Sequence, residues 1–240
     1  MANISLRSTL TELLQKYQAE TSIKVNVRFV PSRDIRLDNP SDSVDIYILA
    51  NDYTVSTTLD TAPPDPSKKH MMGYLIPCIV VPQFNPALVT SLTDLVKHDV
   101  RVGISDPGSD VLGQFAIEIL RKNKLYDRLA DRLVIAASTQ DLAERVAKKE
   151  LDAAIGWTLF PTWTQGGTDV VLMASTEIPR VAAICARRSQ TAVDSAQAIK
   201  LMTYLGSDRA TDVFRQGGYT IAKTDIEMYA TVAQIGGSPE

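Results

Sequence analysis

The chain has 240 residues, 45% of them apolar and 22% charged, with 25 Lys and Arg against 28 Asp and Glu for a net charge of −3. That composition fills a sizeable core and excludes disorder, collagen-like repeats and coiled coils. It offers no basic excess to hold a nucleic-acid backbone or an anionic membrane, and two Cys and two His leave little for a disulfide framework or a metal site.

Residues Met1 to Leu6 carry neither a charged n-region nor an apolar h-region, so no secretory signal is read in this chain. The first periodic segment is Ser5 to Glu20, with Leu6, Leu10, Leu13, Leu14 and Tyr17 on one helical face. Either Ser5 or the T-x-x-E box from Thr9 to Glu12 starts that helix. Ile23 to Phe29 alternates strictly and reads as a half-exposed strand, and Val44 to Leu49 as a shorter, more buried one. A polar loop with Pro31, Ser32 and Asn39-Pro40 separates them. Thr61 to Lys69 is a Pro-rich, charged loop. Leu75 to Val81 is an apolar strand ending at Pro82, strand-length and too short to span a membrane.

A second rhythm follows. Ser91 to Lys97 reads as a short helix and Val100 to Ile104 as a strand. The loop Ser105-Asp-Pro-Gly-Ser-Asp110 feeds a helix with Phe115, Ala116, Ile119 and Leu120 inward. After a turn at Lys124 to Arg132 comes the strand Leu133 to Ala137. Ser138-Thr139 then opens a helix burying Leu142, Ala143, Val146 and Ala147. Ala153 to Trp157, Asp169 to Met173 and Val181 to Cys185 are further strands. Helices at Thr191 to Leu205 and Asp208 to Arg215 complete the pattern.

This alternation argues for an α/β fold of mostly parallel sheets with helices on both faces. The middle block is complete enough to be its own lobe, while the flanking blocks are each too small for an independent core. The economical topology has two lobes joined by two crossings, near Val81 and near Arg180. Lobe I then comprises 1–80 and 181–240, lobe II comprises 81–180, and a ligand cleft lies between them.

Catalytic chemistry finds little support. Cys78 and Cys185 sit inside apolar runs, as buried free cysteines do. His70 and His98 lie in Lys-rich surroundings without an i, i+4 partner, and Lys68 to Met72 reads as an exposed loop leading into strand residues. No nucleophile-elbow, zinc-protease, dinucleotide or phosphate-loop pattern occurs. What recurs is small hydroxyl residues at strand-to-helix turns: Ser5, Ser8 and Thr9; Ser32; Ser105 to Ser109; Ser138 and Thr139. Each reads singly as a helix cap. Helix N-termini with hydroxyls form anion sites without any cation, and the clustering of these residues at turns expected to face one cleft raises that reading beside the capping one.

At this point a resemblance becomes specific. Val100 to Leu120 is similar to the strand, G/S-D-P loop and A-x-E-A-L-type helix of the molybdate-binding proteins of ABC importers, a family with the type II periplasmic solute-binding fold. Ser91-Leu-Thr-Asp-Leu95, Leu125-Tyr-Asp-Arg-Leu129, Glu150 to Trp157 and Asp212 to Tyr219 resemble further segments, and the likeness runs from Ile4 to about Ala222. The resemblance implies capture of molybdate or tungstate for an ABC permease by a periplasmic or otherwise extracytoplasmic monomer. It implies no cofactor, no metal held as a cation, no nucleic-acid partner and no catalysis. The family's first-loop serine matches Ser5 and its second serine Ser32. Its backbone donors fall on Leu112 and Thr139, and its ligand-facing tyrosine on Trp157. A cytoplasmic oxyanion-sensing domain of a regulator, or an enzyme on the same two-lobed fold, are the alternatives. Two departures stand out: Trp157 replaces a phenol with an indole N–H, and only four residues precede Ser5 where the family has a complete first strand. The tail from Lys223 to Glu240 is the local candidate to fill that place.

Overall fold

The computed structural model describes residues 1–39, 43–51, 68–190, 192 and 195–237. Pro40, most of the Thr61 to Lys69 loop and the start of the helix expected from Thr191 lie outside them.

The chain opens with β1 (Ala2–Asn3), and Asn3 caps a 3-10 turn at Ile4–Leu6 by accepting from the Ser5 N–H at 2.9 Å. That turn runs straight into α1 (Arg7–Thr21), which has no side-chain cap of its own, so neither Ser5 nor the Thr9 box starts it. Leu10, Leu13, Leu14 and Tyr17 are buried, as the periodicity requires. β2 is only Phe29–Val30, not the whole alternating segment from Ile23. A strand exists through its neighbours, and β1 offers a ladder of two residues, Ala2 to Phe29 and Asn3 to Val30. Residues 23–28 instead border a groove of about 520 Å³ shared with Val44, Ile46 and Leu201.

β3 (Ile46–Leu49) is fully buried. β4 (Lys69–Leu75) takes in His70, Met71 and Met72, which the sequence reads as loop, because the strand pairs antiparallel with a long partner further along the chain. β5 (Pro77–Pro82) follows after a single residue, so Pro77 divides the apolar run instead of lying within one strand. Ser91 to Lys97 tightens into a 3-10 turn, Leu92–Val96, held by a Ser91–Asp94 capping box.

Next come β6 (Val102–Ser105), α2 (Val111–Lys122), α3 (Tyr126–Leu129), β7 (Val134–Ala136) and α4 (Thr139–Ala147). β8 (Ala153–Trp157), α5 (Phe160–Trp163), β9 (Thr168–Val171) and β10 (Arg180–Arg188) follow. The chain ends with α6 (Ser195–Leu205), α7 (Asp208–Gln216), α8 (Lys223–Ile226) and β11 (Gln234–Ile235).

Two sheets result, with helices on both sides: β11-β10-β3-β1-β2, with β4 also on β10, and β7-β6-β8-β5-β9. Pairing is parallel at β1–β2, β1–β3, β6–β7, β6–β8 and β10–β11. The antiparallel pairs all involve β5 or β10, the strands that carry the chain from one sheet to the other. The tail does not take the place of a first strand. β1 holds the centre between β2 and β3, and β11 adds at the far edge beside β10. Asn51 secures that edge, its amide donating to the Gly237 carbonyl at 2.9 Å.

Core packing crosses between the sheets. One apolar cluster joins Leu10, Leu13 and Leu75 to Cys78, Phe115 and Trp157, and a second centres on Ile79, Ile104, Ile119 and Val181. Both cysteines are buried, and burial pushes the Cys78 thiol far above its ordinary range.

Candidate functional site

In parallel sheets the turns that follow the C-terminal strand ends gather ligands, because helix N-termini converge there. Here those ends are Asn3, Val30 and Leu49 in one sheet, and Ser105, Ala136 and Trp157 in the other.

In the first sheet, Asn3 does the organising. Its side chain accepts from the Ser5 N–H at 2.9 Å and donates through Nδ2 to Ser32 Oγ at 2.6 Å. Ser5 and Ser32, named separately from the sequence, are thus brought to one residue, and Asn3 is the member that sequence reasoning missed. With its oxygen engaged as acceptor, the Ser32 hydroxyl retains its proton for donation to something else. Beside it lies a hollow of about 210 Å³ lined by Asn3, Ser32, Ile35, Leu37, Leu49 and Asn51. Its wall is mixed, apolar from three aliphatic side chains and polar from the two amides and the hydroxyl.

In the second sheet, Asp110 plays the corresponding part. It is the N-cap of α2, with Oδ1 accepting from the Leu112 N–H at 2.9 Å. Its Oδ2 accepts from the Thr139 N–H at 3.0 Å and from the Thr139 hydroxyl. Leu112 and Thr139 therefore do meet at one point, as expected of paired backbone donors, and the group they meet is a carboxylate of the chain itself. Desolvation in this packed turn pushes the Asp110 carboxyl up from the ordinary aspartate value, against the pull of its three donors, and Asp106 adds in the same direction. The loop can pack this closely because Gly113 has no Cβ: one placed there would lie 2.3 Å from the Ser105 carbonyl oxygen.

Asp106 is held below its ordinary range by the Gly108 N–H and the Ser109 hydroxyl, and further by the Arg33 guanidinium, which follows Ser32 in the opposite half. Trp157 stands apart from both groups. It is fully buried at the end of β8, edge-on to Phe115 with ring centroids 5.8 Å apart, and its Nε1 has no hydrogen-bond partner among the described residues. Ser105 Oγ, one strand away in the same sheet, is likewise buried without a partner. Among the described residues no group of three or more His, Cys, Asp or Glu is placed to hold a metal ion. Nor is any described helix long and apolar enough to cross a membrane.

Comparison with known proteins fits this geometry. Residues 1–220 match the family described as bacterial extracellular solute-binding protein. No curated protein sequence matches the chain. Among solved structures, a periplasmic thiamin binding protein superposes with a TM-score of 0.72 at 15% identity, covering 92% of this chain and 81% of its own. The periplasmic molybdate-binding protein of Azotobacter vinelandii gives 0.65 at 15% identity, covering 92% and 98%. Peb3 from Campylobacter jejuni gives 0.67 at 18% identity, with the same coverage. These neighbours share the fold, and two of them are named for different ligands, thiamin and molybdate.

Proposed function

The chain belongs to the bacterial extracellular solute-binding proteins, and on that premise we propose that it captures a tetrahedral oxyanion, molybdate or tungstate, for delivery to an ABC permease. The reading places the solute between two lobes, each built on one sheet; the sequence puts the crossings near Val81 and near Arg180, and the chain passes between the sheets at Ile76, earlier than Val81, and between Val171 and Arg180. Ser5 and Ser32 contribute from one side, and the N–H groups of Leu112 and Thr139 from the other. Trp157 contributes its indole N–H. The protein works outside the cytoplasm as a monomer and catalyses nothing.

One observation carries the reading. The Leu112 and Thr139 donors already converge on an anion, the Asp110 carboxylate, at 2.9 and 3.0 Å. A position that holds a carboxylate between two helix N-termini has the charge preference an oxyanion needs. The donor count follows from energetics. Stripping water from a divalent anion costs many kcal/mol, and each donor to a charged acceptor returns about 1.5–3 kcal/mol, so several must converge.

Titration with molybdate, tungstate, sulfate and phosphate tests this, read by calorimetry and by tryptophan fluorescence. Heat and a fluorescence change with molybdate or tungstate are expected, and a weaker response to the smaller sulfate. Flat titrations with all four would remove the oxyanion from the reading and leave the family assignment standing.

A further inference from the structure

The oxyanion reading requires the Leu112 and Thr139 donors to be available, and in this structure both are taken. A cap for α2 explains only half of what Asp110 does. Its Oδ1 on the Leu112 N–H is an ordinary N-cap contact. Its Oδ2 reaches 29 residues along the chain, to the Thr139 N–H at 3.0 Å and the Thr139 hydroxyl. Yet α4 already has its own cap, Ser138, whose hydroxyl accepts from the Asp141 N–H at 3.1 Å. Ser138 serves only the Asp141 N–H, so Asp110 supplies the acceptor for a different N–H at the start of α4, from 29 residues away. It puts a desolvated charge where two helices of 12 and 9 residues both begin. Among the described residues no cation is paired with it: the charged neighbour acting on Asp110 is Asp106, of the same sign, and Arg33 acts on Asp106. At the same end of the sheet, two buried polar groups, Ser105 Oγ and Trp157 Nε1, have no partner among the described residues.

We propose that Asp110 is an internal counter-ligand: its carboxylate holds the anion position of the cleft, and a solute oxyanion enters by displacing it. This rests on the oxyanion reading above and adds a selection rule to it. A tethered carboxylate competes at a high effective concentration, so weakly bound monoanions such as chloride or nitrate do not displace it. A divalent tetrahedral anion offers more charge and four acceptor oxygens in place of two. It satisfies the released donors and reaches donors that the carboxylate leaves unused. Asp110 thus sets a threshold of charge for entry.

The test compares the parent with Asp110→Ala and Asp110→Asn. Tungstate affinity is measured by calorimetry at fixed ionic strength, and thermal midpoints are measured in sodium formate against sodium chloride. Both variants are expected to bind tungstate at least tenfold more tightly than the parent. The Asn variant shows that the effect is charge and not an opened cavity, and it carries the test should the Ala variant not fold. Formate, a detached carboxylate, is expected to raise the midpoint of Asp110→Ala well beyond the effect of chloride and to leave the parent unchanged. Variants that bind no more tightly than a binding parent, together with formate behaving as chloride, would overturn the proposal and make Asp110 a cap. If no protein binds any oxyanion while formate still restores Asp110→Ala, the oxyanion reading falls and the carboxylate's role as occupant stands.

Discussion

Arg180 and Glu118 meet in a two-pronged ion pair, Nε to Oε2 at 3.1 Å and Nη2 to Oε1 at 3.0 Å, at the first residue of β10, where the chain arrives from the other sheet. The guanidinium side chain is 3% exposed and the carboxylate 13%, and Arg180 also donates to the Gly236 carbonyl at 2.7 Å. The pair therefore ties α2, β10 and the C-terminal tail together. Removing one partner leaves a buried charge uncompensated, so Glu118→Ala should cost about 3–5 kcal/mol. Denaturant unfolding of the parent and variant measures it. A loss below about 1 kcal/mol would mean that water reaches the guanidinium.

Ser32→Ala separates a binding role from a structural one. Asn3 donates to Ser32 Oγ at 2.6 Å, which leaves the hydroxyl proton free to point elsewhere. Loss of one hydrogen bond to a charged ligand should weaken tungstate binding by about 1.5–3 kcal/mol. The melting temperature should fall as well, since Asn3 is 2% exposed and its Nδ2, left without Ser32, costs about 1–3 kcal/mol. Unchanged affinity with a clear fall in melting temperature would make Ser32 a support for Asn3 alone.

Trp157→Phe removes a buried donor that has no partner among the described residues. An unsatisfied buried group costs about 1–3 kcal/mol, and the smaller ring gives back a comparable amount through the cavity it leaves. Stability should thus stay within about 1 kcal/mol of the parent, while tungstate affinity drops roughly tenfold. Trp157→Tyr keeps a donor and should hold affinity. A Phe variant that binds as the parent does would place Trp157 in the core only. The chain has two tryptophans, so the other, Trp163, remains as a fluorescence reference.

Gly113→Ala should damage the Asp110 turn as a whole. The new methyl would meet the Ser105 carbonyl oxygen at 2.3 Å and Pro107 N at 2.6 Å, backbone atoms that cannot rotate away. Overpacking of this kind costs about 1–3 kcal/mol. Because the strain falls on residues 105–110, tungstate affinity should drop with stability. A stable variant with parental affinity would show that the loop relaxes freely.

Much of this was legible in the sequence, and the exceptions share a cause. α2 and α4 are readable from their apolar faces, and the α/β class follows from the alternation of elements. Ile23 to Phe29 is misread because alternation reports two faces, whereas a strand also needs an edge to pair with, and β1 supplies only Ala2 and Asn3. His70 to Met72 is misread for the opposite reason: β10 supplies a nine-residue partner that no local pattern announces. At the site, hydroxyl residues at turns draw attention to Ser5, Ser32 and Thr139. Asn3 and Asp110 escape it, although each is what brings two of the others together. Both carry the side chains favoured at helix N-caps, so locally they look like punctuation. Only the contact across 29 residues in each case distinguishes them.

The single residue between β4 and β5 governs how the two sheets can move. Ile76 precedes a proline, which confines its backbone to extended conformations, and the Pro77 ring fixes the next φ. Ile76 is 1% exposed, and its carbonyl accepts from the Thr158 N–H at 3.1 Å. This crossing therefore works as a stiff pivot, with hardly a free dihedral to spend. The return path between Val171 and Arg180 has no strand or helix of its own and holds the compliance. Met173 and Ile178 nonetheless anchor that segment in the core, and Asn123 Nδ2 donates to the Glu177 carbonyl at 2.9 Å. If the two sheets move as the proposed lobes, this geometry favours opening about Ile76 over shear, because shear would have to break β4 or β5.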